Sequence, residues 1–244
     1  MFKFMANKKN QTDGQKCRIP LPPAESEVTK EPPKMSDISW RIFRIMAEFV
    51  EGFQFLSESE REVTIFGSTR LKPTNKWYKE ARHLGQILAD HDFAVVTGGG
   101  PGIMEAANRG CFDKDGQSLG LNIQLPMEQR INPYVKKSHA FHYFFTRKVI
   151  LSASAQAYVY FPGGYGTMDE LFEIMTLIQT GKMQSTPVVL VGKEFWEPLI
   201  AWIKSTFAES YGTIAPKDME IFTVVDSAEE AFELIKDSEE RTFF

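Results

Sequence analysis

At 244 residues, 43% hydrophobic and 25% charged, the chain can bury one sizeable core, and a single α/β domain with extensions is its simplest organisation. A net charge of −4 excludes a strong global field for nucleic acid or acidic membranes. No run approaches the roughly 18 apolar residues of a membrane span, and Met1-Phe2-Lys3-Phe4-Met5 lacks the apolar stretch of a secretory leader. The expected setting is therefore cytoplasmic, with neither membrane nor nucleic acid as partner.

Residues 1–34 are polar and carry Pro20, Pro22, Pro23, Pro32 and Pro33, the composition of a flexible extension. Residues 35–57 follow as an amphipathic helix opened by Ser36-Asp37, with Ile38, Ile42, Ile45, Met46, Phe49, Val50 and Phe53 on one side. That side suits packing on the main domain or on a partner subunit. Residues 58–244 then alternate strand and helix. Strands are expected at 63–66, 94–97, 119–125, 158–161, 188–191 and 222–225. Helices are expected at 77–90, 103–112, 144–154, 167–180, 195–207 and 228–236. Such alternation means a doubly wound parallel sheet of about six to seven strands with helices on both faces. Ligands of such sheets sit beyond the carboxyl ends of the strands, where the strand order reverses.

Three turns on that edge carry the chemistry. Gly67-Ser68-Thr69-Arg70 follows the first strand, and Gly98-Gly99-Gly100-Pro101-Gly102 follows the second and leads into Ile103-Met104-Glu105. Pro162-Gly163-Gly164-Tyr165-Gly166-Thr167-Met168-Asp169-Glu170 follows the apolar run Ala157–Phe161. Glycines let a backbone approach a ligand, and free N–H groups at a helix start favour an anion such as phosphate. One such turn is equally well a tight connection with close helix–strand packing; several on one edge favour phosphate. The first turn lacks the second glycine of a dinucleotide fingerprint, and no G-x-x-x-x-G-K-[ST] occurs, so a mononucleotide fits better than NAD or hydrolysable ATP.

Individual side chains leave alternatives open. Thr167-x-x-Glu170 matches a capping box, in which the acid only satisfies a backbone N–H. Asp169 reads as a first-turn acid complementing the helix dipole. Arg147 and Lys148 lie in the apolar stretch Phe144–Leu151, where they either reach a phosphate or carboxylate or snorkel to solvent. Met104, Tyr143 and Phe144 either wall a pocket for a flat base or belong to the core. His139 and His142 are spaced H-x-x-H without a third ligand nearby, which does not make a metal site, and Cys17 and Cys111 give no disulfide framework.

Together these motifs resemble the LONELY GUY (LOG) family, often labelled "lysine decarboxylase-like". Pro162, Gly163, Gly164, Gly166, Thr167 and Glu170 match its P-G-G-x-G-T-x-x-E mark, Gly98–Gly102 its earlier glycine turn, and Arg147-Lys148 its Arg-Lys pair. The resemblance covers about residues 60–235 and points to the longer bacterial-type subgroup. It implies a Rossmann-like fold and hydrolysis of the N-glycosidic bond of nucleoside 5′-monophosphates, AMP or cytokinin riboside monophosphates, to free base and ribose 5-phosphate. It also implies a homodimer or larger homo-oligomer, with Arg147 and Glu170 as the catalytic pair. Phosphate and substrate contacts are then expected from Gly67, Ser68, Gly99, Gly100, Gly102, Met104, Lys148, Gly163, Gly164, Gly166 and Thr167, and a ribose or base contact from Glu128. Neither metal nor cofactor is required. Decarboxylation of lysine would call for pyridoxal phosphate on a Schiff-base lysine, which the glycine motifs do not supply. The alternative is a non-catalytic carrier of a nucleotide or of a phosphorylated cofactor such as the molybdenum cofactor.

Overall fold

The structure, a computed structural model, describes residues 35–124 and 131–240. The 1–34 extension, Cys17, Glu128 and the 241–244 end lie outside them.

The chain begins with α1 (Met35–Leu56) and then alternates: β1 (Glu62–Phe66), α2 (Lys76–Asp90), β2 (Ala94–Thr97), α3 (Ile103–Asp113) and β3 (Ser118–Ile123). It continues through β4 (Lys137–Phe141), α4 (Phe144–Ala153), β5 (Ala157–Tyr160), α5 (Tyr165–Gln179), β6 (Val188–Val191) and α6 (Lys193–Trp202). After a π-helical stretch (Ile203–Ser210) and a 3-10 turn (Pro216–Glu220), β7 (Thr223–Val225) and α7 (Ala228–Ile235) close the fold. The strands form one seven-stranded sheet in the order β4-β3-β2-β1-β5-β6-β7, every neighbouring pair parallel. This is the Rossmann-like, doubly wound α/β architecture expected from the alternation.

The central strands are apolar throughout because both faces are covered. Val63, Ile65, Val95, Val159 and Val189 pack with α2, α3 and α7 on one side. Phe66, Val96, Tyr158, Tyr160 and Leu190 pack with α1, α4 and α5 on the other. Cys111 is buried in the first of these layers.

Three expectations need correcting. The stretch Lys137-Ser138-His139-Ala140-Phe141 forms an additional strand, β4, that carries no apolar run because it is a half-exposed sheet edge beginning with Lys. His139 belongs to that strand, tilted against Phe55 and edge-on to Phe141, and burial pulls its imidazole below the ordinary value. The helix expected at 195–207 is split, α6 giving way to a π-helical stretch at Ile203. Finally, α1 docks on α4 and β4, but the line it buries is Glu48, Gly52, Phe55 and Leu56. Ile45, Phe49 and Phe53 flank that line half-buried, while Ile38, Ile42, Met46 and Val50 are exposed.

Candidate active site

The strand order reverses between β1 and β5. From β1 the chain winds outward through β2, β3 and β4, then returns to add β5 on the other side. The crevice therefore opens where β1 and β5 end, at Phe66 and Tyr160. The glycine turns following these two strands are stitched together there. Ser68 N–H donates to Pro162 O at 3.0 Å, and Ser68 O accepts from Ile103 N at 3.0 Å, joining all three turns through one residue.

A cavity of about 1090 Å³ lies over this junction. Of the residues expected at the site, Gly67, Ser68, Met104, Arg147, Gly163, Gly164, Gly166, Thr167 and Glu170 line it. Phe144 also does, whereas Tyr143 does not. Gly99, Gly100, Gly102 and Lys148 are not among the lining residues; of the second glycine turn only Gly98 is.

The second turn is occupied with its own packing. Gly99 N–H donates to Thr97 Oγ1 at 2.9 Å, Asn132 binds the carbonyls of Gly99 and Gly100, and Asn122 binds that of Gly98. Gly102 caps α3 with φ +72°, and a Cβ there would strike Ser68 O. A Cβ on Gly98 would strike the Arg147 guanidinium, so that glycine clears the space in which the arginine lies.

The third turn is open. Gly164 is the N-cap of α5, and the first ladder bond is Met168 N to Gly164 O at 3.0 Å. The N–H groups of Tyr165, Gly166 and Thr167 thus precede the ladder. A Cβ on Gly163 would collide with Thr167, which explains that glycine by packing. A Cβ on Gly164 or Gly166 would meet no heavy atom within 4 Å. Nothing among the described residues requires glycine at either.

This helix start also settles how Glu170 sits. The capping-box reading needs Thr167 as N-cap, but Thr167 is the third helical residue and Glu170 the sixth, beyond reach of a cap. Asp169 is likewise past the first turn. Glu170 is instead 7% exposed on the cavity wall. Burial raises its carboxyl to about 7; Lys148 and Arg147 pull it down, while Glu173 and Asp169 push it up.

Arg147 does not snorkel. Its Nε–H donates to Leu121 O at 2.8 Å, and burial pulls the guanidinium below its ordinary value, opposed by the charge of Glu170. Lys148 points the other way, into a second groove along α5 of about 860 Å³. There it meets Asp169 at 2.7 Å, Glu173 at 2.9 Å and Glu170 at 3.6 Å; burial works to lower its ammonium, but these carboxylates together outweigh it and hold the group above the ordinary value.

The cavity also contains Arg70, Trp77, Ile123, Tyr165 and Phe195, not singled out from the sequence as site residues. Arg70 and Phe195 follow β1 and β6 on the ligand edge, a signal the sequence does carry; Trp77 and Ile123 read simply as apolar members of their elements. Among the described residues no group of three or more His, Cys, Asp or Glu could hold a metal ion, and no helix is long and apolar enough to cross a membrane.

Residues 104–235, over half of the chain, match the family described as "Possible lysine decarboxylase". The chain belongs to this family, the LOG-type proteins. Its relatives include the cytokinin riboside 5′-monophosphate phosphoribohydrolase of Rhodococcoides fascians, 24% identical over 160 residues, covering 64% of this chain and 81% of the relative. The LOG3 phosphoribohydrolase of Arabidopsis thaliana is 27% identical over 194 residues, covering 78% of this chain and 87% of LOG3. Among solved structures, the molybdenum cofactor binding protein of Rippkaea orientalis superposes with a TM-score of 0.53 at 23% identity, over 72% of this chain and 93% of that one. At that identity the LOG-family chain and the cofactor-binding protein share a fold.

Proposed function

We propose that the protein is a nucleoside 5′-monophosphate phosphoribohydrolase, which hydrolyses the N-glycosidic bond to release free base and ribose 5-phosphate. AMP and cytokinin riboside monophosphates are the candidate substrates. The observation that carries the reading is Glu170, a buried carboxyl raised to about 7 on a cavity wall that also presents Arg147 and an open glycine-rich helix start. The named activity of the LOG-family relatives supports it.

The 5′-phosphate lies against the N–H groups of Tyr165, Gly166 and Thr167, where Gly164 and Gly166 leave room for close approach. Arg147 binds phosphate or sugar oxygens; its tie to Leu121 O fixes the fork in place. Cleavage of the C1′–N bond builds positive charge on the ribose ring, and an ionised Glu170 stabilises it. Glu170 also accepts the proton of the water whose oxygen bonds to C1′, and the departing base takes up a proton. A pKa near neutrality lets one group be ionised for attack yet return its proton. Lys148 does not suit amine chemistry. A Schiff-base lysine needs a lowered pKa, and its carboxylate neighbours raise this one.

A panel of nucleoside monophosphates, with the matching unphosphorylated nucleosides, tests the proposal by chromatography for free base and ribose 5-phosphate. Release from monophosphates and not from nucleosides is expected. Tight binding without release from any of them would favour the carrier function.

A further inference from the structure

The N-terminal helix lies outside the segment that matches the family, yet it touches the helix that carries Arg147. Its contact is specific. Glu48 is buried at 7% exposure, the first residue of α1 to be so. Its Oε1 accepts from His142 N at 2.8 Å, and its Oε2 accepts from Tyr143 N at 3.3 Å and from Thr146 Oγ1 at 2.6 Å. All three donors belong to the turn that launches α4. That helix has no cap of its own, since its N-cap, Tyr143, makes no side-chain capping bond. A carboxylate borrowed from α1 does the work of the acid in a capping box and also faces the positive end of the helix dipole.

The residue this turn aims is Arg147. The first ladder bond of α4 is Arg147 N to Tyr143 O at 3.3 Å, so Tyr143, held by Glu48 through its N–H, accepts from Arg147 through its carbonyl in the next peptide group. Thr146, bonded to the same carboxylate, is its chain neighbour. Close docking of α1 keeps Glu48 in place: a Cβ on Gly52, one turn further on, would collide with Ile150 of α4.

We infer that Glu48 is a positioning residue: by capping α4 from the N-terminal helix it fixes the guanidinium of Arg147 in the cavity, making α1 part of the active site's support. The catalytic side of this inference rests on the phosphoribohydrolase reading; the geometric side does not.

The test compares Glu48→Gln and Glu48→Ala in the full chain with Phe55→Ala, which removes a buried apolar side chain of α1 that packs against His139 of β4. Misplacing a substrate-holding group by about 1 Å costs on the order of 100-fold, so kcat for nucleotide hydrolysis is expected to fall about that far in Glu48→Ala while KM changes little. Phe55→Ala, assayed well below its melting temperature, keeps kcat. NMR gives a readout independent of turnover. The Arg147 Nε–H resonance and the protection of the His142 and Tyr143 amides change in both Glu48 variants and persist in Phe55→Ala. Unchanged kcat in Glu48→Ala, or losses that simply track melting temperature across all three variants, would overturn the positioning role. If the wild-type protein releases no base, the proposed function fails on its own; an unmoved Arg147 resonance in Glu48→Gln would then still refute the geometric inference.

Discussion

Replacing Glu170 by glutamine is predicted to abolish base release and, at alkaline pH, to make the protein more stable. The carboxyl is raised from 4.5 to about 7. At about 1.4 kcal/mol per tenfold change in proton affinity, that difference amounts to roughly 3 kcal/mol. The sign follows from which state holds the proton more tightly. The folded state does, so its stability is fully present below about 4.5 and falls as pH rises towards and through about 7. Above that range the wild type carries a buried carboxylate at a cost of about 3 kcal/mol, and the neutral amide does not. For a chain of this size the gain corresponds to a melting temperature higher by about 10 °C. Denaturant unfolding of both proteins from about pH 4 to about pH 9 should show curves that coincide in acid and diverge in alkali. Parallel curves across that range would refute the raised carboxyl and, with it, the reason for assigning Glu170 the proton transfer.

Three further outcomes are expected. Gly164→Ala and Gly166→Ala place methyl groups in open space and should leave stability within about 1 kcal/mol, yet raise KM for nucleotide; unaltered KM would remove the phosphate from this turn. Gly163→Ala, by contrast, collides with Thr167 and should cost about 1–3 kcal/mol in denaturant unfolding. Lys148→Met removes a charge that lowers the Glu170 pKa, so the rise of kcat with pH should move to higher pH; a shift downward contradicts the ion-pair assignment.

Much of the fold could be read from periodicity because the central strands are buried on both faces and the helices between them are amphipathic. The exceptions have physical causes. β4 is an edge strand with charged and half-exposed residues, so no apolar run announces it. The helix after β6 changes to π geometry at Ile203, a change that apolar spacing does not encode. At the site, the three glycine turns do meet at the β1/β5 crevice, but glycine in a sequence cannot say what it makes room for. Gly98 clears Arg147, Gly102 clears Ser68 O and Gly163 clears Thr167, whereas Gly164 and Gly166 clear nothing among the described residues. The capping-box pattern misdirects because the helix starts two residues before Thr167, a boundary set by Gly164. Glu48 is invisible in the sequence because a carboxylate in the buried line of an amphipathic helix reads as a break in the pattern; only the tertiary contact with the α4 turn gives it a partner.

The most direct test of the account measures turnover and binding of one nucleoside monophosphate, side by side, on wild type and Glu170→Gln. The prediction is equimolar free base and ribose 5-phosphate from the wild type. The variant should bind the nucleotide with similar affinity and release essentially no base. Wild-type rates in Glu170→Gln would contradict the assignment of the carboxylate as the catalytic group.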